Sequence, residues 1–124
     1  MTYVEEGPAW LEQARAELDE PGFYLAFADD GEVRTVAIGN GWTRVGRSLS
    51  AEVRIDDPTI SRRHALIHRD RDTVRILDDR SLNGVLRNGS PVELDELSDG
   101  DRISVGRYDL HFLHVAHDRA HALA

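Results

Sequence analysis

The sequence predicts an all-β fold: an antiparallel β-sandwich of about ten or eleven short strands, preceded by a short N-terminal helix. Three observations predict it. After Pro21-Gly22 the apolar residues alternate with polar or small ones. Turn signals interrupt that alternation every several residues. No strand–helix–strand rhythm of the kind that builds a parallel sheet is visible.

The elements follow in chain order. Residues 8–19 read as a helix. Pro8 suits its first turn, and Trp10 or Leu11, Ala14 and Leu18 recur at three- and four-residue intervals. Glu12, Arg15, Glu17 and Asp19 fill the other face, and Pro21-Gly22 ends it. Phe23, Leu25 and Phe27 begin the strands. Asp29-Asp30-Gly31 turns the chain into a strand over 33–38, and Gly39-Asn40-Gly41 turns it again into 42–45. Segments 65–69 and 73–77 pair across Asp70-Arg71-Asp72. Strands over 85–87, 92–94, 102–105 and 108–115 complete the set. In the last, Tyr108, Leu110 and Phe112 face one way, and Asp109, His111 and Leu113 the other. Residues 1–20 are expected to form an acidic helical extension, 21–115 the sandwich domain, and 116–124 a frayed tail.

Composition narrows the function. The chain has 124 residues, enough for one domain, and no cysteine, which excludes disulfides and thiol chemistry and suits a reducing cytoplasm. No apolar run approaches the roughly 18 residues a membrane span needs, and the first six residues lack the features of a secretory signal. All 15 basic residues are Arg. Residues 1–32 hold nine acids and one Arg, whereas 33–124 are balanced at fourteen of each. Neither part is the basic body a nucleic-acid binder wants. The stretch 44–63 is locally basic, with five Arg against three acids. A small basic pocket on a neutral body suits a single phosphate.

The chemistry concentrates in three segments. Gly46-Arg47 precedes Ser61-Arg62-Arg63-His64, Arg47 lying fourteen residues before Ser61. Ser81-Leu82-Asn83-Gly84 begins twenty residues after Ser61, and Asn88-Gly89 follows. Arg47, Ser61, Arg62, Ser81 and Asn83 supply two arginines, two hydroxyls and an amide: donors for a phosphorylated side chain and the backbone that carries it. Ser61 and His64 have no evident third partner or oxyanion glycine, so no catalytic residue is expected. Gly39-Asn40-Gly41 lacks the Lys-Ser/Thr ending of a nucleotide-binding loop. His114, His117 and His121 recur at helical spacing, but no acid or cysteine completes a metal set, so they read as a solvated tail. No cofactor is implied.

The four blocks, in this order, resemble the forkhead-associated (FHA) domain, a phosphothreonine-binding β-sandwich, from about Phe23 to Val115. The resemblance implies that Arg47 is the principal phosphate contact. It makes Ser61 a hydroxyl donor, Arg62 a second phosphate contact and Ser81 a neighbour of the phosphate. Asn83 would hold the ligand's main chain. His64 would brace the binding loops, and Gly46 and Gly84 would serve backbone geometry. Arg63 reads as solvated, Arg80 as a rim charge, and Asn88-Gly89 mainly as a turn. Selectivity for Thr over Ser would need a small apolar contact for the threonine methyl, which Leu82 or Val85 could supply. The implied partner is a phosphothreonine-containing protein, marked by a Ser/Thr kinase that is itself a candidate partner, with no nucleic acid or membrane involved. A rival reading is a scaffold that binds an enzyme without phosphate. Some relatives of that kind are switched off by phosphorylation of an N-terminal threonine. Thr2 lies beside Glu5-Glu6, but no threonine pair sits in an acidic run. The acidic N-terminal segment could also lie against the basic pocket.

Overall fold

The computed structural model describes residues 7–116. The chain folds as one helix, α1 (Ala9–Ala16), followed by eleven strands. These are β1 (Gly22–Asp29), β2 (Glu32–Ile38), β3 (Gly41–Gly46), β4 (Val53–Arg54), β5 (Ala65–Asp70) and β6 (Thr73–Asp78). Then come β7 (Val85–Arg87), β8 (Ser90–Pro91), β9 (Leu94–Glu96), β10 (Arg102–Val105) and β11 (Tyr108–Val115). Thr2, Glu5, Glu6, His117 and His121 lie outside the described residues.

Two sheets form the sandwich. One has the order β2-β1-β11-β10-β7-β8, the other β4-β3-β5-β6-β9. Alternation decides which side chains enter the core. Phe23, Leu25 and Phe27 of β1 and Leu110 and Phe112 of β11 point inward against Val45, Ile67, Val74 and Ile76 of the facing sheet. The opposite set, Ala26 and Leu113, points outward and is buried all the same. Leu11 of α1 covers it, with Trp10, Leu18 and Tyr24 alongside. The apolar stripe of the helix thus makes a second small core on the outer face of the six-stranded sheet. Trp10 meets His111 edge-on, with ring centroids 5.7 Å apart. Arg15 reaches Asp99 at 3.0 Å.

The sandwich stands as predicted, with local corrections. The helix is shorter than 8–19. Leu18 N–H bonds the Arg15 carbonyl three residues back, tightening the last turn, and Pro21 disfavours helical backbone before it. One strand pair is parallel: β3 with β4, Val45 opposite Val53. The expected strand 92–94 is a crossing instead. β8 pairs with β7 in one sheet and β9 with β6 in the other, so residues 92–93 carry the chain between sheets. His114 belongs to β11 and not to a tail; its ring stacks on Phe23 with centroids 4.4 Å apart.

Candidate functional site

The three segments singled out in the sequence meet at one end of the sandwich. Gly46 ends β3, and its neighbours pair with the loop before β5. Arg47 N–H bonds the Ser61 carbonyl at 3.0 Å, and Ser48 N–H bonds the Arg62 carbonyl at 3.1 Å. The two stretches run so close that a Cβ on residue 46 would lie 3.1 Å from the Ser61 carbonyl oxygen and well inside contact with that of Arg62. Only glycine allows this approach.

Arg47 is half-buried, and its Nε–H donates to the Ile60 carbonyl at 3.1 Å. That bond fixes the plane of the guanidinium and leaves both terminal nitrogens for an anion. The Ser61 hydroxyl oxygen accepts Leu82 N–H at 3.0 Å. A hydroxyl that accepts through its oxygen still has its hydrogen to donate. The same bond ties the 61–64 loop to the 79–84 loop.

His64 locks this junction from beneath. It is fully buried. Its Nδ1 accepts Ser61 N–H at 3.0 Å, so Nδ1 carries no proton. Its Nε2–H then donates to the Gly84 carbonyl at 2.8 Å. One neutral ring, in one tautomer, holds two loops in register. Gly84 has φ +83, a left-handed conformation that glycine adopts without strain, while a Cβ there would meet open space. Its need for glycine is conformational, whereas that of Gly46 is steric.

The third loop is folded on itself. Ser81 N–H bonds the Asp78 carboxylate at 2.9 Å, and Ser81 Oγ accepts Gly84 N–H at 2.8 Å. Asn83 stands exposed on this turn, and its Nδ2 donates to the Thr59 carbonyl at 3.0 Å. Its carbonyl oxygen and second N–H remain. Arg62 and Arg80 are exposed and form no ion pair among the described residues. Arg63 is solvated, its side chain 77% exposed, and it also bonds Asp79 through both Nε and Nη2 at 3.0 Å. Val85 is a core residue and cannot line a ligand pocket, while Leu82 is 91% exposed beside Asn83. Asn88 is more than a turn residue. Its amide bonds Asp101 at 2.9 Å and Arg102 N–H at 2.8 Å, closing the β7–β8 hairpin away from the site.

Sequence reasoning missed four residues behind the rim. Asp57, buried, accepts Thr59 N–H at 2.9 Å, Thr59 Oγ–H at 2.6 Å and Arg107 Nε–H at 2.7 Å. The Thr59 hydroxyl and amide, then Arg107, hold its carboxyl below the ordinary carboxylate range. Gly106 lets the β10–β11 turn press onto Thr59. Asp57-Pro58-Thr59 carries a visible signal, since an Asp that bonds the amide two residues on is a known turn device. Arg107 lies fifty residues further along, and nothing local announces it. Among the described residues no group of three or more His, Asp or Glu could hold a metal ion. No helix among them is long and apolar enough to cross a membrane.

A rigid sandwich that gathers an oriented arginine, a hydroxyl donor and a side-chain amide on the loops of one rim defines a class of anion-reading binding domain. Comparison with known proteins specifies it: residues 43–106 match the family model described as the FHA domain, and the chain belongs to that family. A structure described as an analysis of phosphothreonine-dependent FHA domain interactions superposes with a TM-score of 0.73 at 33% identity, covering 77% of this chain and 98% of that one. The FhaA FHA domain, solved in complex with the intracellular domain of Rv3910, gives 0.70 at 34% identity, covering 73% and 99%. The oxoglutarate dehydrogenase inhibitor of Corynebacterium jeikeium is 41% identical over 71 residues, 57% of this chain and 49% of that protein. The glycogen accumulation regulator GarA of Mycobacterium tuberculosis is 37% identical over 71 residues, 57% of this chain and 44% of that protein. The chain thus spans about half the length of these two relatives.

Proposed function

We propose that this chain is a non-catalytic module that captures phosphothreonine-bearing proteins in Ser/Thr kinase signalling. Arg47 is the principal phosphate ligand. Ser61 donates its hydroxyl hydrogen, Arg62 adds a second charge, and Ser81 borders the phosphate. Asn83 holds the ligand's main chain with its remaining amide groups. Gly46, His64 and Gly84 keep the loops in place. One observation carries the reading: the Arg47 fork is fixed through Nε on the Ile60 carbonyl, with its terminal nitrogens unspent among the described residues, in the loop cluster that holds the Ser61 hydroxyl. A phosphothreonine offers about two negative charges and three acceptor oxygens to such a set. The site needs no base, nucleophile or metal for this work.

The working unit is the sandwich, 21–115, with 1–20 an acidic extension and 116–124 a tail. Its partner is a phosphothreonine protein, and the kinase that makes the mark is a second candidate. The setting is the cytoplasm. A degenerate phosphothreonine peptide library tests this. Phosphorylated members should bind, and phosphatase treatment should abolish binding.

A second reading draws on a relative's printed role as an inhibitor of oxoglutarate dehydrogenase. A chain of this family could dock on a metabolic enzyme without any phosphate. Enzyme capture that persists after phosphatase treatment and in Arg47→Ala would favour it.

A further inference from the structure

The two side chains assigned the most exacting roles are aimed by consecutive carbonyls. Thr59 O receives Asn83 Nδ2 at 3.0 Å, and Ile60 O receives Arg47 Nε at 3.1 Å. Both carbonyls belong to the turn after β4, so whatever fixes that turn fixes the aim of both.

The fixing group is a carboxylate. Asp57 is 2% exposed. Its Oδ1 takes the amide and hydroxyl of Thr59, and its carbonyl takes Ile60 N–H at 3.0 Å. Its Oδ2 takes Arg107 Nε at 2.7 Å, and Arg107 Nη2 also contacts it. Arg107 closes the ring from its own backbone, whose N–H bonds the Thr59 hydroxyl at 3.1 Å. The turn is therefore tied to the β10–β11 hairpin of the other sheet. Neither Asp57 nor Arg107 belongs to the proposed ligand set.

We propose that Asp57, with Arg107, is a positioning residue that keeps Arg47 and Asn83 aimed for binding. The role in binding rests on the phosphothreonine reading; the role in aiming does not. The charge matters as well as the shape. Asparagine at 57 could still accept the Thr59 bonds through its oxygen. It would then turn an NH2 group toward the Arg107 guanidinium, donor against donor. The turn would lose its carboxylate tie to the hairpin and keep only the Arg107 N–H bond to the Thr59 hydroxyl, leaving Thr59 and Ile60 freer to tilt their carbonyls. Hydrogen bonds to a charged ligand weaken steeply once the donor leaves its aim.

The test compares wild type, Asp57→Asn and Arg107→Gln by nuclear magnetic resonance without ligand, and by calorimetry with the best phosphothreonine peptide from the library. Binding is measured well below each variant's melting temperature. In Asp57→Asn the Arg47 Nε–H and Asn83 side-chain amide signals should shift and exchange faster, while amides of β5, β6 and β11 stay in place. Affinity should fall about tenfold or more, as for a lost hydrogen bond to a charged group. Arg107→Gln, which leaves the Thr59 bonds intact, should show the same changes to a smaller degree. Unmoved Arg47 and Asn83 signals in Asp57→Asn would overturn the proposal. So would shifted signals with wild-type affinity. If wild type binds no phosphothreonine peptide, the functional reading falls, and the ligand-free spectra alone decide whether Asp57 aims these side chains.

Discussion

Arg47 and His64 do different jobs, and substitutions should separate them. Arg47→Ala removes a guanidinium that, among the described residues, meets the protein through one side-chain bond, to the Ile60 carbonyl. It should lower phosphopeptide affinity by about 2–5 kcal/mol, the cost of truncating one partner of a close charge pair, with little effect on melting. His64→Ala strands the part-buried Ser61 N–H and Gly84 carbonyl and leaves a cavity. It should cost about 2–5 kcal/mol of folding stability and weaken binding as well. Thermal melts beside binding isotherms make the distinction; an Arg47→Ala that mainly unfolds, or a His64→Ala that melts like wild type, would reverse the assignment. Ser61→Ala falls between, at about 1–3 kcal/mol of affinity. Arg63→Ala loses an exposed ion pair with Asp79, worth about 0–1 kcal/mol of stability, and should leave affinity intact. At this scale the candidate site residues were legible in the sequence, because glycine, arginine, serine and asparagine at those spacings have few other uses together, and the structure gathers them on the loops of one rim. It hid their supports. The Arg63–Asp79 and Asp57–Arg107 pairs join residues sixteen and fifty apart, which no local pattern encodes.

Among the elements, strands with strict alternation were legible and those without it were not. β7, β10 and β11 fall where periodicity puts them. β4 and β8 have two residues each, too few to show a period. The change of sheet at 92–93 was equally silent, since a strand pattern does not say which neighbour it will pair with. The helix is the instructive case. Its acidic face reads as a solvated face packed by its apolar stripe, or else as a surface that docks a partner or lies against the basic pocket; its described part lies on the outer face of the six-stranded sheet, over Ala26 and Leu113. The apolar stripe decided its place. Leu11→Ala should therefore cost about 2–3 kcal/mol of stability and leave phosphopeptide affinity unchanged, as melts and calorimetry would show. A gain in affinity would instead mean that the helix restrains the site.

The loop from β3 to β4 carries a second element-scale prediction. Glu52 accepts the Arg44 side chain at 2.6 Å and the Arg44 amide at 2.7 Å. Those bonds hold its carboxyl down to about 2, against an ordinary 4.5. Because the folded value lies below the unfolded one, the pair stabilises fully above about 4.5 and its contribution disappears as pH falls toward about 2. Both side chains are substantially exposed, so solvent screening keeps the contribution small. Denaturation of wild type and Glu52→Gln across that range should give curves that differ at neutral pH and converge in acid. Parallel curves throughout would show that the pair is energetically idle.

For the whole molecule, the division of labour is between a scaffold and a rim. The two sheets bury a continuous core, which fixes the ends of β3, β5 and β6 and hence the loops they carry. Binding residues on loops held this way lose little freedom when a ligand arrives. That organisation predicts a receptor that changes little on binding and makes its discrimination at one charged group. The most direct measurement is calorimetry of wild type and Arg47→Ala with one peptide in two forms, threonine and phosphothreonine. Wild type should bind the phosphorylated form, with negligible heat from the other, and a folded Arg47→Ala should bind neither. Equal binding of both forms by wild type, or normal phosphopeptide binding by Arg47→Ala, would contradict the account.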